Sequence, residues 1–318
     1  LNATVSSDAL AKQRVGLSGW LPDAQGQAVF EPMGVRLIRA SSSWRPTQPH
    51  GKRLQTAVEP QRQPVSVERV VLPAALFDHH QPKAVSLDGG MVNLRRDGWR
   101  ELKLGAGFDL ETRLEPNPQT QQLDQMAHGV NVHDTAVLGS KDDFTPALWS
   151  LAVEPDGPTA PEPAVIADGA LWIWTVAEEV CPDGRQIVDW FHAVHHLAEP
   201  AAALYPDEND SAKRARWLTL HQAHLYLGRI HTLIAALHQR PQADLAGYFE
   251  RHQRRMQSLE FREAGFPIGS GTVESGVKPF KQRLTGTGMR WNADNADRML
   301  VIRAAVLGNE FDTLCKVA

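Results

Sequence analysis

Two short apolar runs, 80 residues apart, each end in an aspartate followed by glycine: Ala84-Val85-Ser86-Leu87-Asp88-Gly89-Gly90 and Ala164-Val165-Ile166-Ala167-Asp168-Gly169. A run of this length and composition, closed by a turn signal, reads as a buried strand. Two of them place two carboxylates at strand ends, held by rigid backbone. A third run, Gln186-Ile187-Val188-Asp189, has the same form. Asp-Gly is also an ordinary turn signal, so each motif gains force only beside the others.

Around these runs the pattern is strands first and helices later. Glu101 to Leu110 alternates apolar and polar residues and predicts a second strand, and Gly129 to Leu138 predicts a third. Asp142 to Val153 and Ala170 to Glu179 predict helices. From Phe191 to about Met256 apolar residues recur at helical spacing, as at Ile230, Leu233, Ile234 and Leu237. A helix is expected from about Thr272 to Leu284, and a last one near Ala293 to Leu307, capped by Asn292 or Asp294. The fold class is therefore α/β or α+β with a late helical block. Residues 1 to 82 carry weak patterning and frequent prolines, among them Pro46, Pro49, Pro60 and Pro64, and read as an appendage.

Composition narrows the function classes. The 318 residues hold 33 Lys and Arg against 37 Asp and Glu, a formal charge of −4. Between Arg251 and Arg303 the balance reverses, with ten basic residues against five acidic ones. A basic segment in an acidic chain suits a local phosphate-binding face, and equally a solvated helix surface. The two cysteines, Cys181 and Cys315, form no CxxC pair, which argues against cysteine-bound zinc and a disulfide framework. No apolar stretch nears the roughly 18 residues of a membrane span, and no signal peptide is evident, so a cytoplasmic location is expected. The chain opens on Leu1 and reads as a fragment or a processed product.

Strand-ending carboxylates on neighbouring strands make the hard-oxygen site that Mg²⁺ prefers. A third carboxylate from a helix would complete a two-metal clamp for phosphodiester chemistry. Glu274, in Gly269-Ser270-Gly271-Thr272-Val273-Glu274, sits where a helix would start. It could serve the metals or simply complement the helix dipole. Lys278, Lys281 and Arg283 follow it as candidate phosphate contacts, although Pro279 would kink that helix. Arg290 and Trp291 end a glycine-rich loop; phosphate contact suits Arg290 and packing suits Trp291. Asp189-Trp190-Phe191-His192 forms a DxxH, continued by His195 and His196. These histidines raise a zinc-hydrolase alternative, but no Glu stands between them as an HExxH site requires.

Four segments in order, Ser86 to Asp109, Val165 to Trp174, Val188 to Leu197 and Pro267 to Trp291, resemble bacterial insertion-sequence transposases of the DDE type. These are related to the Mutator-like group, and the similarity covers roughly Ala84 to Leu307. The resemblance implies an RNase H-like mixed sheet flanked by helices, with residues 83–318 as the catalytic domain and an all-helical insertion at about 191–266. It implies Asp88, Asp168 and Glu274 as the catalytic and metal-binding carboxylates, with two Mg²⁺ or Mn²⁺ ions. Asp189 and His192 match a C/DxxH signature near the site, and an alternative alignment makes Asp189 the second carboxylate. The implied partners are DNA ends, target DNA and further copies of the chain in a synaptic complex. The implied reaction is cleavage at the element's ends and joining of the 3′-OH to target DNA. An end-binding domain is common upstream in such proteins, and residues 1–82 show no clear helix-turn-helix or zinc version. The alternatives are an RNase H-like nuclease without strand transfer and an inactive DNA-binding remnant.

Overall fold

The computed structural model describes residues 8–22, 25, 29, 40–59, 83–117, 122–153, 163–239, 243–269, 280, 282–286 and 288–317. Its centre is a five-stranded mixed sheet of β1 (Lys83–Leu94), β2 (Gly98–Pro116), β3 (Leu123–Leu138), β4 (Ala164–Ala167) and β5 (Arg185–Val188) in the order β3-β2-β1-β4-β5. The first three strands form an antiparallel meander, while β1, β4 and β5 run parallel. Hairpin turns can join the meander, whereas parallel β4 and β5 need a crossover, supplied by a helix over Leu171–Val180.

Local sequence explains the layering. In β2, Leu102, Leu104, Ala106, Phe108 and Leu110 are all buried on one face, and Lys103 and Gly105 between them are buried as well, so the middle of the strand is covered on both sides. On the other face Gly105 lets a helix approach closely. A Cβ at Gly105 would lie 2.9 Å from both Phe144 and Leu148 of α3 (Lys141–Val153). Alternation in β3 separates the two covering layers. Thr135 lies beside Gly105 under α3, and the next residue back, Asp134, feels the charge of Arg303 on α11 (Ala293–Leu307). Strand β4 is buried along its whole length, as expected of a parallel strand covered on both faces.

Helices α1 (Asp8–Trp20) and α2 (Ala40–Val58) pack on each other and on α11. Buried Val15 and Leu54 join the main core, and Arg303 donates to the Gly19 carbonyl. The prolines that weaken the sequence pattern do not stop α2, which contains both Pro46 and Pro49. Tertiary burial outweighs their local cost here. The two apolar runs that interrupt the weak patterning of this segment, Val35 to Ile38 and Val65 to Phe77, lie outside the described residues.

The strand and helix expectations differ from the structure mainly at their ends. β2 extends to Pro116 and β3 begins at Leu123, so the hairpin is longer than alternation alone predicts. The helical block comprises α4 (Leu171–Val180), then α5 (Trp190–His195), α6 (Ala198–Leu204), α7 (Ser211–Tyr226), α8 (Ile230–His238), α9 (Gly247–His252) and α10 (Ser258–Glu263). The two ends of the block meet directly after β5, where Trp190 N donates to Ile268 O at 2.7 Å. Arg255 anchors the block to the sheet edge, with Nε 2.6 Å from Gln186 Oε1 and its guanidinium over Trp174. Of the expected helix over Thr272 to Leu284, the described residues Phe280 and 282–284 are helical.

Candidate active site

Register brings three aspartates into one row. Leu87 pairs with Ala167, and Ala167 pairs with Val188, on adjacent parallel strands. The residue after each is Asp88, Asp168 and Asp189. With a strand spacing of about 4.8 Å, their backbones follow one another at steps of roughly 5 Å. Asp168 and Asp189 directly follow the ends of β4 and β5, whereas Asp88 lies inside β1, opposite Leu104 of β2, and does not end its strand as the apolar run closed by Asp-Gly predicts, because β1 runs on to Leu94 in its hairpin with β2.

The three carboxylates are held differently. Asp88 is partly exposed and its Oδ1 accepts from Gly89 N at 2.6 Å. Asp168 is partly exposed too, and its Oδ1 accepts from Ala170 N at 2.8 Å. Asp189 is only 1% exposed and caps α5, its Oδ1 accepting from Phe191 N at 2.6 Å and His192 N at 3.1 Å. The DxxH is thus an N-cap contact to the His192 backbone, which ties Asp189 to helix initiation. Of the two candidates for second carboxylate, Asp168 is the one with exposed surface.

Behind Asp168 stands an aromatic stack from the helical insertion. The Tyr248 hydroxyl donates to the Asp168 backbone carbonyl at 3.0 Å. The His196 ring stacks on Tyr248 with centroids 3.7 Å apart, and His252 leans on its other neighbours at 4.9 Å from Tyr248 and 6.0 Å from Trp174. Gly169 adopts φ +100°, and a Cβ there would come within 2.9 Å of the Tyr248 oxygen. Burial, followed by the charges of Asp168 and Asp189, raises the Tyr248 pKa, so the phenol stays a donor. Burial and the neighbouring His192 and His195 lower the His196 pKa, against the opposing pull of Asp168 and Glu199. Tyr248 carries no motif in the sequence, and only the folded insertion places it at the site.

The remaining candidates divide. His192 and His195 are exposed on α5, while His196 is occupied with Tyr248. Arg283 is buried: it donates to Ser18 O at 2.8 Å and lies over the Trp291 ring. This corrects its reading as a phosphate contact, since its guanidinium faces the interior. Trp291 packs as expected, 9% exposed, with Nε1 donating to Leu284 O at 2.9 Å. Arg290 is exposed. Glu274, Lys278, Pro279 and Lys281 lie outside the described residues. Among the described residues, no group of three or more His, Cys, Asp or Glu side chains is arranged to hold a metal ion. Among the same residues, no helix is long and apolar enough to cross a membrane.

No protein-family model matches the chain, and no curated protein matches it. The structure is that of a mixed α/β protein with a five-stranded sheet flanked by helices and a row of aspartates across its parallel strands.

Proposed function

We propose that the chain is the catalytic part of a DDE-type DNA transposase with an RNase H-like core. The observation that carries this reading is the register that sets Asp88 and Asp168 side by side on the central parallel pair. The strand order, with β2 reversed and next to β1, supports the RNase H-like assignment. So does the helical block that opens directly after β5 and closes just before the segment bearing Glu274. The motif order adds its resemblance to insertion-sequence transposases.

The donor set fits a divalent ion. Two partly exposed carboxylates on adjacent strands supply hard oxygens, and the second oxygen of Asp168 has no hydrogen-bond partner among the described residues. Asp88 and Asp168 would hold the ions together with Glu274. When bound there, two Mg²⁺ or Mn²⁺ ions supply the charge that makes water or a 3′-OH nucleophilic and stabilises the leaving oxygen. The chain's own residues do the positioning. The amides of Gly89 and Ala170 fix one oxygen of each aspartate, and Tyr248 fixes the peptide behind Asp168. Asp189 holds α5, and with it His192, beside the row. Arg290, with Lys278 and Lys281, would hold DNA phosphates, and pairing of two DNA ends would require more than one copy of the chain.

The test is incubation with Mg²⁺ and a plasmid carrying the DNA that flanks the reading frame, followed by detection of cut and joined products. Cleavage and joining, both lost in Asp88→Asn, is the expected result. Cleavage without joining would reassign the chain to the nucleases, and binding without cleavage to an inactive remnant. Full activity in Asp88→Asn would overturn the metal site itself.

A further inference from the structure

The turn joining β1 to β2 reads Arg95-Arg96-Asp97-Gly98-Trp99-Arg100, and all six residues are exposed. A tight hairpin needs only the Asp-Gly pair, with Gly98 at φ +68°. Arg95, Arg96 and Arg100 form no ion pair or side-chain hydrogen bond among the described residues, and Trp99 stands 59% exposed. The same corner receives a fourth free arginine. Trp291 N donates to Asn93 O and Arg95 N to Trp291 O, at 2.9 and 2.8 Å, so Arg290 is pinned against β1 on the side away from β2. Arg100 flanks β1 on the other side, opposite Val92.

We infer that this corner is a second phosphate-binding surface, which grips the duplex DNA arm leading into the aspartate row. The inference rests on the proposed function for its ligand, and on the geometry for its location. Asp88 and the turn lie on one strand, β1 running on past the aspartate row to reach the turn after Leu94. Arg100 sits opposite the fourth residue beyond Asp88, and Arg95 is the seventh. At about 3.3 Å per residue these are roughly 13 and 23 Å from the carboxylate. Along one DNA strand, at about 3.4 Å per nucleotide, that is roughly four to seven nucleotides from the reacting phosphate. Arginine suits the task because its fork pairs with phosphate oxygens, and Trp99 offers a flat face to sugar or to an unstacked base.

The experiment measures binding apart from catalysis. The full chain in EDTA is titrated into a fluorescent 20-base-pair duplex at several salt concentrations, with Arg95→Ala/Arg96→Ala/Arg100→Ala beside it. Lys213→Ala/Arg216→Ala/Arg229→Ala serves as a control of equal charge change on exposed basic residues of the helical insertion. The turn variant is expected to bind at least about tenfold more weakly, with the slope of log K against log salt reduced by about 2 to 3, and the control to bind like wild type. Matching melting curves would show that the turn variant is folded. An unchanged slope in the turn variant, an equal loss in the control, or stronger binding to a matched RNA duplex would each overturn the inference. If wild type also binds and cleaves DNA in Mg²⁺, such a failure leaves the proposed function standing. If wild type neither binds nor cleaves DNA, both fall together.

Discussion

The Tyr248 hydroxyl donates to the backbone carbonyl of Asp168, 80 residues away in sequence, at 3.0 Å. This bond ties the helical insertion to the peptide that aims the Asp168 carboxylate. Tyr248→Phe keeps the stack with His196 and deletes only that bond, a loss of about 1 kcal/mol in stability. The fold should survive while Asp168 loses part of its orientation. The expected outcome is a several-fold rise in the Mg²⁺ concentration giving half-maximal cleavage, with the melting temperature nearly unchanged. An unaltered Mg²⁺ dependence would confine Tyr248 to packing.

Gly169 should be intolerant of any side chain. Its φ of +100° is unfavourable for L-residues, and a Cβ would lie 2.9 Å from the Tyr248 oxygen. Gly169→Ala is expected to destabilise by about 1–3 kcal/mol, measured by urea unfolding. Part of that cost is the clash and part the backbone. Combining Gly169→Ala with Tyr248→Phe should therefore give less than the sum of the two single losses.

Asp168 and Asp189 are separable by conservative replacement. Asp189 is buried and accepts two backbone N–H bonds at the start of α5. Asparagine retains an acceptor oxygen for that cap, whereas alanine does not. Asp189→Ala should cost about 0.5–2 kcal/mol, and Asp189→Asn much less. Asp168→Asn should abolish cleavage while leaving the fold intact, and Asp189→Asn should retain measurable cleavage. The reverse pattern in a plasmid-cutting assay would move the second catalytic role to Asp189.

Strand β4 was readable because it is short, apolar and closed by Asp-Gly, and a strand with that pattern has few other ways to bury itself. The same pattern in β1 marked its buried start but not its end, since pairing with β2 carries the strand through Asp88-Gly89-Gly90 to Leu94. The last helix was readable for a similar reason, since Ala296, Met299, Leu300 and Arg303 recur at helical spacing and are all buried. What the pattern could not supply was pairing. Nothing local to Ala164–Ala167 states that β4 lies between β1 and β5, and the aspartate row exists only because it does. Tyr248 and Gly169 were hidden for the same reason, their contact being set by how α9 docks. Arg283 misled because charge in sequence suggests exposure, while its side chain spans the core to Ser18. Proline likewise suggested irregular structure in residues 46–49, where packing on α11 sustains a helix.

Acid should loosen the helical insertion before the sheet. His221 on α7 and His252 at the end of α9 are almost fully buried, and burial, with help from His224 or nearby arginines, lowers both pKa values to about 4. Both rings are neutral in the fold at neutral pH, while in the unfolded chain they take up protons below about pH 6.5. The unfolded state then binds more protons between about pH 6.5 and 4, so stability falls as pH falls through that window. For a single such histidine the loss from pH 7 to pH 5 is about 2 kcal/mol. His221→Leu should flatten the acid limb of the stability profile in urea titrations. Asp134 works the other way: burial raises its pKa to about 6, so its protonated form is the one the fold prefers. Asp134→Asn should raise stability at pH 7 and leave it little changed at pH 4.5.

Two arginines seven residues apart should respond oppositely to the same mutation. Arg283 is buried beneath α1, donating to Ser18 O and lying 5.2 Å from the Trp291 ring centroid. Arg290 is exposed on the β1 corner. Removing Arg283 leaves the Ser18 carbonyl without that donor and exposes a void beside Trp291, so Arg283→Ala should destabilise by about 1–3 kcal/mol. Any fall in DNA binding should then track the fraction unfolded and disappear when corrected for it. Arg290→Ala should leave the melting temperature within about a degree of wild type, since a lone exposed side chain contributes little to stability. Its effect should fall on DNA affinity, with the salt slope reduced by about 1 for the lost phosphate contact. Thermal melts and binding titrations on the two variants decide the matter. A stable Arg283→Ala protein with a reduced salt slope would restore Arg283 as a phosphate ligand and require this corner of the chain to open when DNA binds.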